Sequence, residues 1–197
     1  DLSNAGAVRA FVQALRPQVI VNAAAYTKVD KAESEPGLAM ALNGDAPGIL
    51  ADEAKKLSAL LVHYSTDYVF DGRKREPYIE TDDTNPLGVY GRSKLAGEQA
   101  IRERHKNHVI LRTSWVYGRY GANFLKTMLK LAGERNELKV VADQRGSPTN
   151  TLDLADTVLG LMPQLADGAP WGTYHFSGDG EINWCQFADE IFKAREK

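Results

Sequence analysis

The chain has 197 residues, 43% of them hydrophobic, with 24 basic and 26 acidic side chains giving a formal net charge of −2. That suits one substantial core, or one domain with a small appendage, and the charge pattern contains no basic run to track a phosphate backbone, which argues against nucleic acid. No apolar run approaches the roughly 18 to 20 residues of a membrane span and no signal peptide is evident, so the reading is no membrane and a cytoplasmic location.

In chain order, Asp1-Leu2-Ser3-Asn4 reads as a strand end and N-cap for a helix over about 4–15, with Ala7, Val8, Phe11, Val12 and Leu15 on its buried face. Pro17 ends it, and Val19-Ile20-Val21 has the character of a buried parallel strand. Helical patterns cover about 36–57, 90–105 and 121–134; strands are expected at 60–66, 108–114 and 138–142. Residues 145–150 read as a loop, Leu152–Leu165 as a helix, 168–172 as a loop, Tyr174–Ser177 as a strand, and a last helix runs from about Asn183 and is still in pattern at Lys197. The alternation predicts an α/β fold built on a doubly wound parallel sheet. Cys185, the single cysteine, reads as a packed thiol beside Trp184, and the four histidines show no ligand spacing, so no metal site is predicted.

The run with most chemistry in it is Tyr90-Gly91-Arg92-Ser93-Lys94. A tyrosine and a lysine four apart share one helix face, and an ammonium near a phenol favours the phenolate. Bringing a phenol from near 10 to near 7 takes roughly 4 kcal/mol, at about 1.4 kcal/mol per unit, more than one lysine supplies. A further group has to help, either a cationic nicotinamide ring or the hydroxyl of Thr66, which ends the strand Leu60 to Thr66, where doubly wound sheets place ligands. Pro47 has no N–H for the Asn43 carbonyl, so that carbonyl is either freed to bind a water near the lysine or marks a simple helix break. Arg112 and Arg145 are candidates for neutralising a diphosphate, with an internal tie the alternative for Arg112. Half of the aromatics after the strand ends, among them Tyr68, Phe70, Trp115 and Tyr117, are expected in the core.

Taken with Val19 to Tyr26, Val29 to Pro36, Leu60 to Gly72 and the acidic loop Glu80 to Asp83, these residues resemble the extended short-chain dehydrogenase/reductase family over nearly the whole chain. The resemblance implies a Rossmann-like fold with a small C-terminal substrate-binding portion, divided at 1–143 and 144–197. It implies Thr66, Tyr90 and Lys94 as catalytic residues, with NADPH or NADH held by Asp1, Leu2, Ala24, Ala25, Tyr26, Thr27, Asn43, Tyr64, Tyr90 and Lys94. Thr66, Asp67, Tyr68, Trp115, Gln144 and Arg145 would meet a dTDP-sugar substrate whose C4 ketone is reduced. Asp143, Pro148 and Thr149 match the same substrate-side loop. A homodimer fits that reading, and a magnesium requirement cannot be read from the residues. Alternatives are another nucleotide-sugar epimerase or dehydratase, or a non-catalytic relative such as the methionine adenosyltransferase regulatory subunit. Dehydratases usually add an Asp-Glu pair after the threonine, where this chain has Asp67-Tyr68. The glycine-rich turn that binds a pyrophosphate is not found, Gly178-Asp179-Gly180 being misplaced, so the sequence resembles a family member lacking its first β-α-β portion.

Overall fold

The computed structural model describes residues 1–195. They form two compact units, one of Asp1–Arg112 with Leu165–His175, the other of Thr113–Gln164 with the chain from Phe176 onward. The chain therefore passes between units three times, where the sequence reading placed a single division after Asp143.

In the first unit Asn4 caps α1 (Ala5–Leu15) by accepting the Ala7 N–H at 3.0 Å. β1 (Val19–Asn22) follows, then the short α2 (Val29–Ala32), which was not anticipated. The helix expected over 36–57 is interrupted: α3 (Pro36–Met40) runs into a π-turn at Ala41–Asp45 before α4 (Ala46–Leu57). Pro47 is the cause, because its ring would strike the carbonyl four residues back and it has no hydrogen to give; the wider turn makes room, and Ala46 N–H bonds Ala41 O instead. β2 (Leu60–Thr66) leads into a 3₁₀ turn (Asp67–Val69), α5 (Val89–Arg104) and β3 (His108–Thr113).

These strands and β7 (Gly172–His175) make one sheet in the order β1-β2-β3-β7, with β1 parallel to β2 from Val19↔Leu60 and β3 parallel to β7 from Val109↔Gly172. The parallel α/β sheet is thus as predicted. Its core gathers Val8 and Val12 from α1, Leu50 from α4, Ile101 from α5, and Leu61 and Ile110 from the sheet. Two burial expectations are corrected. Ala7, Phe11 and Leu15 are exposed, since only the one-turn pair Val8 and Val12 enters that cluster, and Val19 and Val21 are exposed because side chains alternate along β1 and it is the Ile20 and Asn22 face that turns inward. β7 sits two residues earlier than the strand expected at 174–177.

The second unit contains β4 (Val116–Tyr117), α6 (Phe124–Glu134), β5 (Arg145–Gly146), β6 (Thr149–Asn150), most of α7 (Thr151–Ala166), β8 (Ile182–Asn183) and α8 (Trp184–Arg195). Residues 138–142 form no strand. Leu138 and Val140 instead pack their side chains into the cluster of Met128, Phe187 and Ile191, and Val141 O accepts the Cys185 N–H. The expected loop 145–150 holds two short strands, β5 antiparallel to β8 and β6 parallel to β4. Cys185 is half-buried rather than packed away. The helical continuation expected at Lys197 lies outside the described residues.

Candidate active site

The site is built on α5. Its first turn has no side-chain cap from Gly88; Glu33, just after α2, reaches across and accepts the Val89 N–H at 2.7 Å, placing a carboxylate where the helix dipole favours one. Two glycines let the helix approach its neighbours: a Cβ on Gly91 would lie 2.2 Å from the Tyr68 carbonyl oxygen, and one on Gly97 would lie 2.1 Å from the Asn43 carbonyl oxygen. The carbonyl freed by Pro47 therefore faces a backbone pressed against it. The Asn43 side chain binds the turn after β1, accepting Tyr26 N–H at 2.8 Å, donating to Tyr26 O at 3.0 Å and to Ser93 Oγ at 3.1 Å.

This packing sets Tyr90 half-buried, with its ring edge-on to Tyr68 at 5.5 Å. Burial pushes Tyr90 up to about 12; the Thr66 hydroxyl works downward, and the charge on Asp67 works upward. The expectation that Lys94 depresses this tyrosine is not met within the chain. Its Nζ, buried one turn on, donates to the Tyr64 carbonyl at 2.6 Å and lies 3.3 Å from His63 Nε2. Burial brings Lys94 down to about 8, opposed by Glu98.

Thr66 has one hydroxyl hydrogen and two claimants. It is donated to Asp67 Oδ1 at 3.0 Å, while the oxygen accepts Tyr68 N–H at 3.2 Å. With Tyr90 protonated the phenol can donate to Thr66; once Tyr90 has lost its proton, the threonine hydrogen can turn to the phenolate. Desolvation raises Asp67 to about 6, although the residue keeps an exposed surface, where water offsets part of that shift.

Behind Lys94 lies a buried ion cluster that the sequence left open. Arg112 donates to Glu98 through Nε at 3.0 Å and Nη2 at 2.8 Å, with Phe70 under its guanidinium at 5.0 Å, so it is an internal tie and not a free diphosphate ligand. Burial opposes the charge of Glu98, but Arg112, Ser65 and Arg102 outweigh it and hold the carboxyl below its usual range.

The model described as RmlD substrate binding domain matches residues 1–197. The chain belongs to that family. It is 47% identical over 200 residues to the dTDP-4-dehydrorhamnose reductase of Sinorhizobium fredii, covering 100% of this chain and 68% of the relative, and 47% identical to that of Escherichia coli K12, covering 100% and 66%. A crystal structure of dTDP-4-dehydrorhamnose reductase from Bacillus anthracis in complex with NADP superposes with a TM-score of 0.92 at 44% identity, covering 100% of this chain and 69% of that one. The corresponding protein of Clostridium acetobutylicum gives 0.94 at 42%, covering 100% and 68%. The chain spans about two thirds of the length of these relatives.

In this RmlD-type chain the remaining candidates fall into three groups. Ala24, Ala25 and Thr27 form a turn of small residues after β1, with Ala24 and Thr27 exposed, whereas the polar atoms of Tyr26 are engaged: its backbone by Asn43 and its hydroxyl by Glu35 at 2.7 Å. Asp1 accepts from Ser3 N and Ser3 Oγ, and Leu2 packs on the core. Trp115, Gln144 and Arg145 belong to the second unit. There Trp115, with a left-handed φ of 48°, stacks on Trp184 at 3.5 Å beneath Gly146, where a Cβ would fall 2.6 Å from the indole. Arg145 is paired with Glu181, and Gln144 is exposed. Sequence reasoning missed Asn22, His63, Ser93 and Glu98. Glu98, at i+4 from Lys94, carried the one available signal, a spacing that puts an acid on the lysine's helix face.

Proposed function

We propose that the chain carries the catalytic and substrate-binding machinery of an NAD(P)H-dependent reductase that converts dTDP-4-dehydro-L-rhamnose to dTDP-L-rhamnose. The observation that carries this reading is Tyr90 at the start of α5, its phenol influenced by the Thr66 hydroxyl at the end of β2, with the buried Lys94 amine one turn along the same helix. A phenol raised to about 12 arrives protonated at neutral pH, which suits a reductase, since the alkoxide formed at C4 needs a proton.

The residues fit a nicotinamide cofactor. Ala24 and Ala25 leave the backbone after β1 open to a flat ligand, and Lys94 supplies N–H donors beside Tyr64; Asn43 and Tyr26 shape that turn. Bound there, NADPH or NADH would supply the hydride. Thr66 orients the ketone oxygen, Tyr90 delivers its proton, and the Thr66 hydrogen then turns from Asp67 to the new phenolate. Tyr68 and Asp67 flank the sugar, and in the second unit Trp115, Gln144 and Arg145 are assigned to the nucleotide-sugar. Asp67-Tyr68 in place of an acid pair disfavours dehydration. No helix among the described residues is long and apolar enough to cross a membrane. The proposal places the enzyme in the cytoplasm, as a homodimer.

The test is NAD(P)H oxidation by the full-length protein, followed by absorbance with dTDP-4-dehydro-L-rhamnose as the varied substrate. Saturable oxidation yielding dTDP-L-rhamnose is expected; no ketone-dependent oxidation with either cofactor would overturn the assignment.

A further inference from the structure

From the end of β1 to the catalytic helix runs a line of buried polar groups, of which Asn22 and His63 have no role in the proposed reaction. Asn22 Nδ2 lies 3.0 Å from His63 Nδ1, and His63 Nε2 lies 3.3 Å from Lys94 Nζ. Asn22 Oδ1 accepts the Ala24 N–H at 3.3 Å, and that contact decides which way the amide faces. Its oxygen goes to Ala24, so its NH₂ goes to the imidazole. A ring nitrogen that receives a donor must be the unprotonated one, so the neutral imidazole carries its hydrogen on Nε2. That hydrogen points at Lys94, where only an uncharged amine has a lone pair to accept it.

We propose that His63 is a positioning residue for Lys94, its tautomer fixed by Asn22, so that the turn bearing Ala24 governs whether the lysine is held as an amine or as an ammonium. Turning the Asn22 amide over exchanges the roles. Nδ1–H then donates to Oδ1, Nε2 becomes an acceptor, and Lys94 takes up one proton from solvent to face it. A ligand that recruits the Ala24 N–H would release the amide to make that turn.

The environment is consistent with a poised pair. Burial, with the nearby Lys94, drives His63 well below its ordinary range, and burial lowers Lys94 to about 8. The charge that pulls Lys94 back upward is that of Glu98, itself paired with Arg112 from β3 and Arg102 on α5. Tyr90 lies one turn before the lysine on the same helix, and the charge of Asp67, from the 3₁₀ turn, acts on Tyr90.

The use of Lys94 in hydride chemistry rests on the reductase reading; the coupling itself does not. Long-range ¹H–¹⁵N spectra of the ¹⁵N-histidine-labelled full-length protein, with His63 assigned through the backbone, report the tautomer directly, and the ¹³Cε shift of Lys94 reports its titration. Expected are a neutral Nε2–H imidazole in the native protein and, in Asn22→Asp, whose carboxylate only accepts, an Nδ1–H imidazole with the Lys94 midpoint moved upward by about one unit. An Nδ1–H tautomer in the native protein overturns the proposal, and that result needs no variant to fold. So does a tautomer that switches in Asn22→Asp with Lys94 unmoved. If the full-length protein shows no ketone-dependent oxidation of either cofactor, the reductase reading falls and the coupling stands; the native tautomer decides the converse case.

Discussion

At the scale of the residue, the site depends on which hydrogen goes where. Tyr90→Phe removes the proton donor and little contact area, so kcat is expected to fall by about 10²- to 10⁴-fold with cofactor affinity nearly unchanged. Steady-state rates beside a fluorescence titration of NADPH check both halves, and a variant retaining most of the rate would exclude Tyr90 as the donor. Trp115→Ala should cost the second unit about 3 kcal/mol, because the indole is stacked between Trp184 and Gly146. Chemical denaturation reads this; a raised KM with undiminished stability would instead show the ring spent on the substrate. Spacing placed Tyr90 and Lys94 on one helix face and Thr66 at a strand end, which are sequence-local facts, and the family resemblance singled out these three as a set. The direction of the Lys94 Nζ was not legible. It is set by the Tyr64 carbonyl and by His63, which reach the lysine from another element, and no one-dimensional pattern encodes that approach.

At the scale of the element, the same division holds. Pro47 offered the helix break as one of two readings, because a missing N–H is a property of one residue, but the approach of α5 to the Asn43 carbonyl at Gly97 joins segments far apart in the chain. Gly97→Ala should therefore destabilise by about 1–3 kcal/mol, as a backbone oxygen at 2.1 Å must move. Gly133→Ala in α6 meets nothing within 4 Å and gains up to about 1 kcal/mol of helix propensity. Denaturant midpoints of the two variants should shift in opposite directions; equal shifts would mean that the close approach is relaxed at little cost. Residues 138–142 misled for a physical reason. Lys139-Val140-Val141 has the β-branched character of a strand, yet Val140 packs with Leu138 on the Met128 cluster while Val141 is exposed and its carbonyl meets the Cys185 N–H, so the segment enters no ladder.

At the scale of the whole molecule, charge ties α1 to α4. Glu53 is held down to about 2, first by Lys56 and then by Gln13 and Arg9, against the cost of burial. A carboxylate depressed on folding contributes stability that is fully present above its ordinary value of 4.5 and is lost as pH falls from there through the folded value. The difference in melting temperature between the native protein and Glu53→Gln should accordingly be largest near neutrality and shrink through that acid window. A pH-independent difference would assign the effect to packing. The fold class was readable because strand and helix periods alternate along the chain; the threefold passage between units was not, since the partner of β3 is β7, a segment that follows the first stretch of the other unit. This has a consequence for the nascent chain. Until residues 172–175 leave the ribosome, β3 has no neighbour on that side, and Glu80 and Tyr78 wait for the His175 N–H and ring that they will bind at 2.8 and 3.1 Å. A chain arrested after Gln164 would therefore hold an open strand edge in a half-finished sheet, a species expected to recruit chaperones and to aggregate when released, while one arrested past its last helix should not.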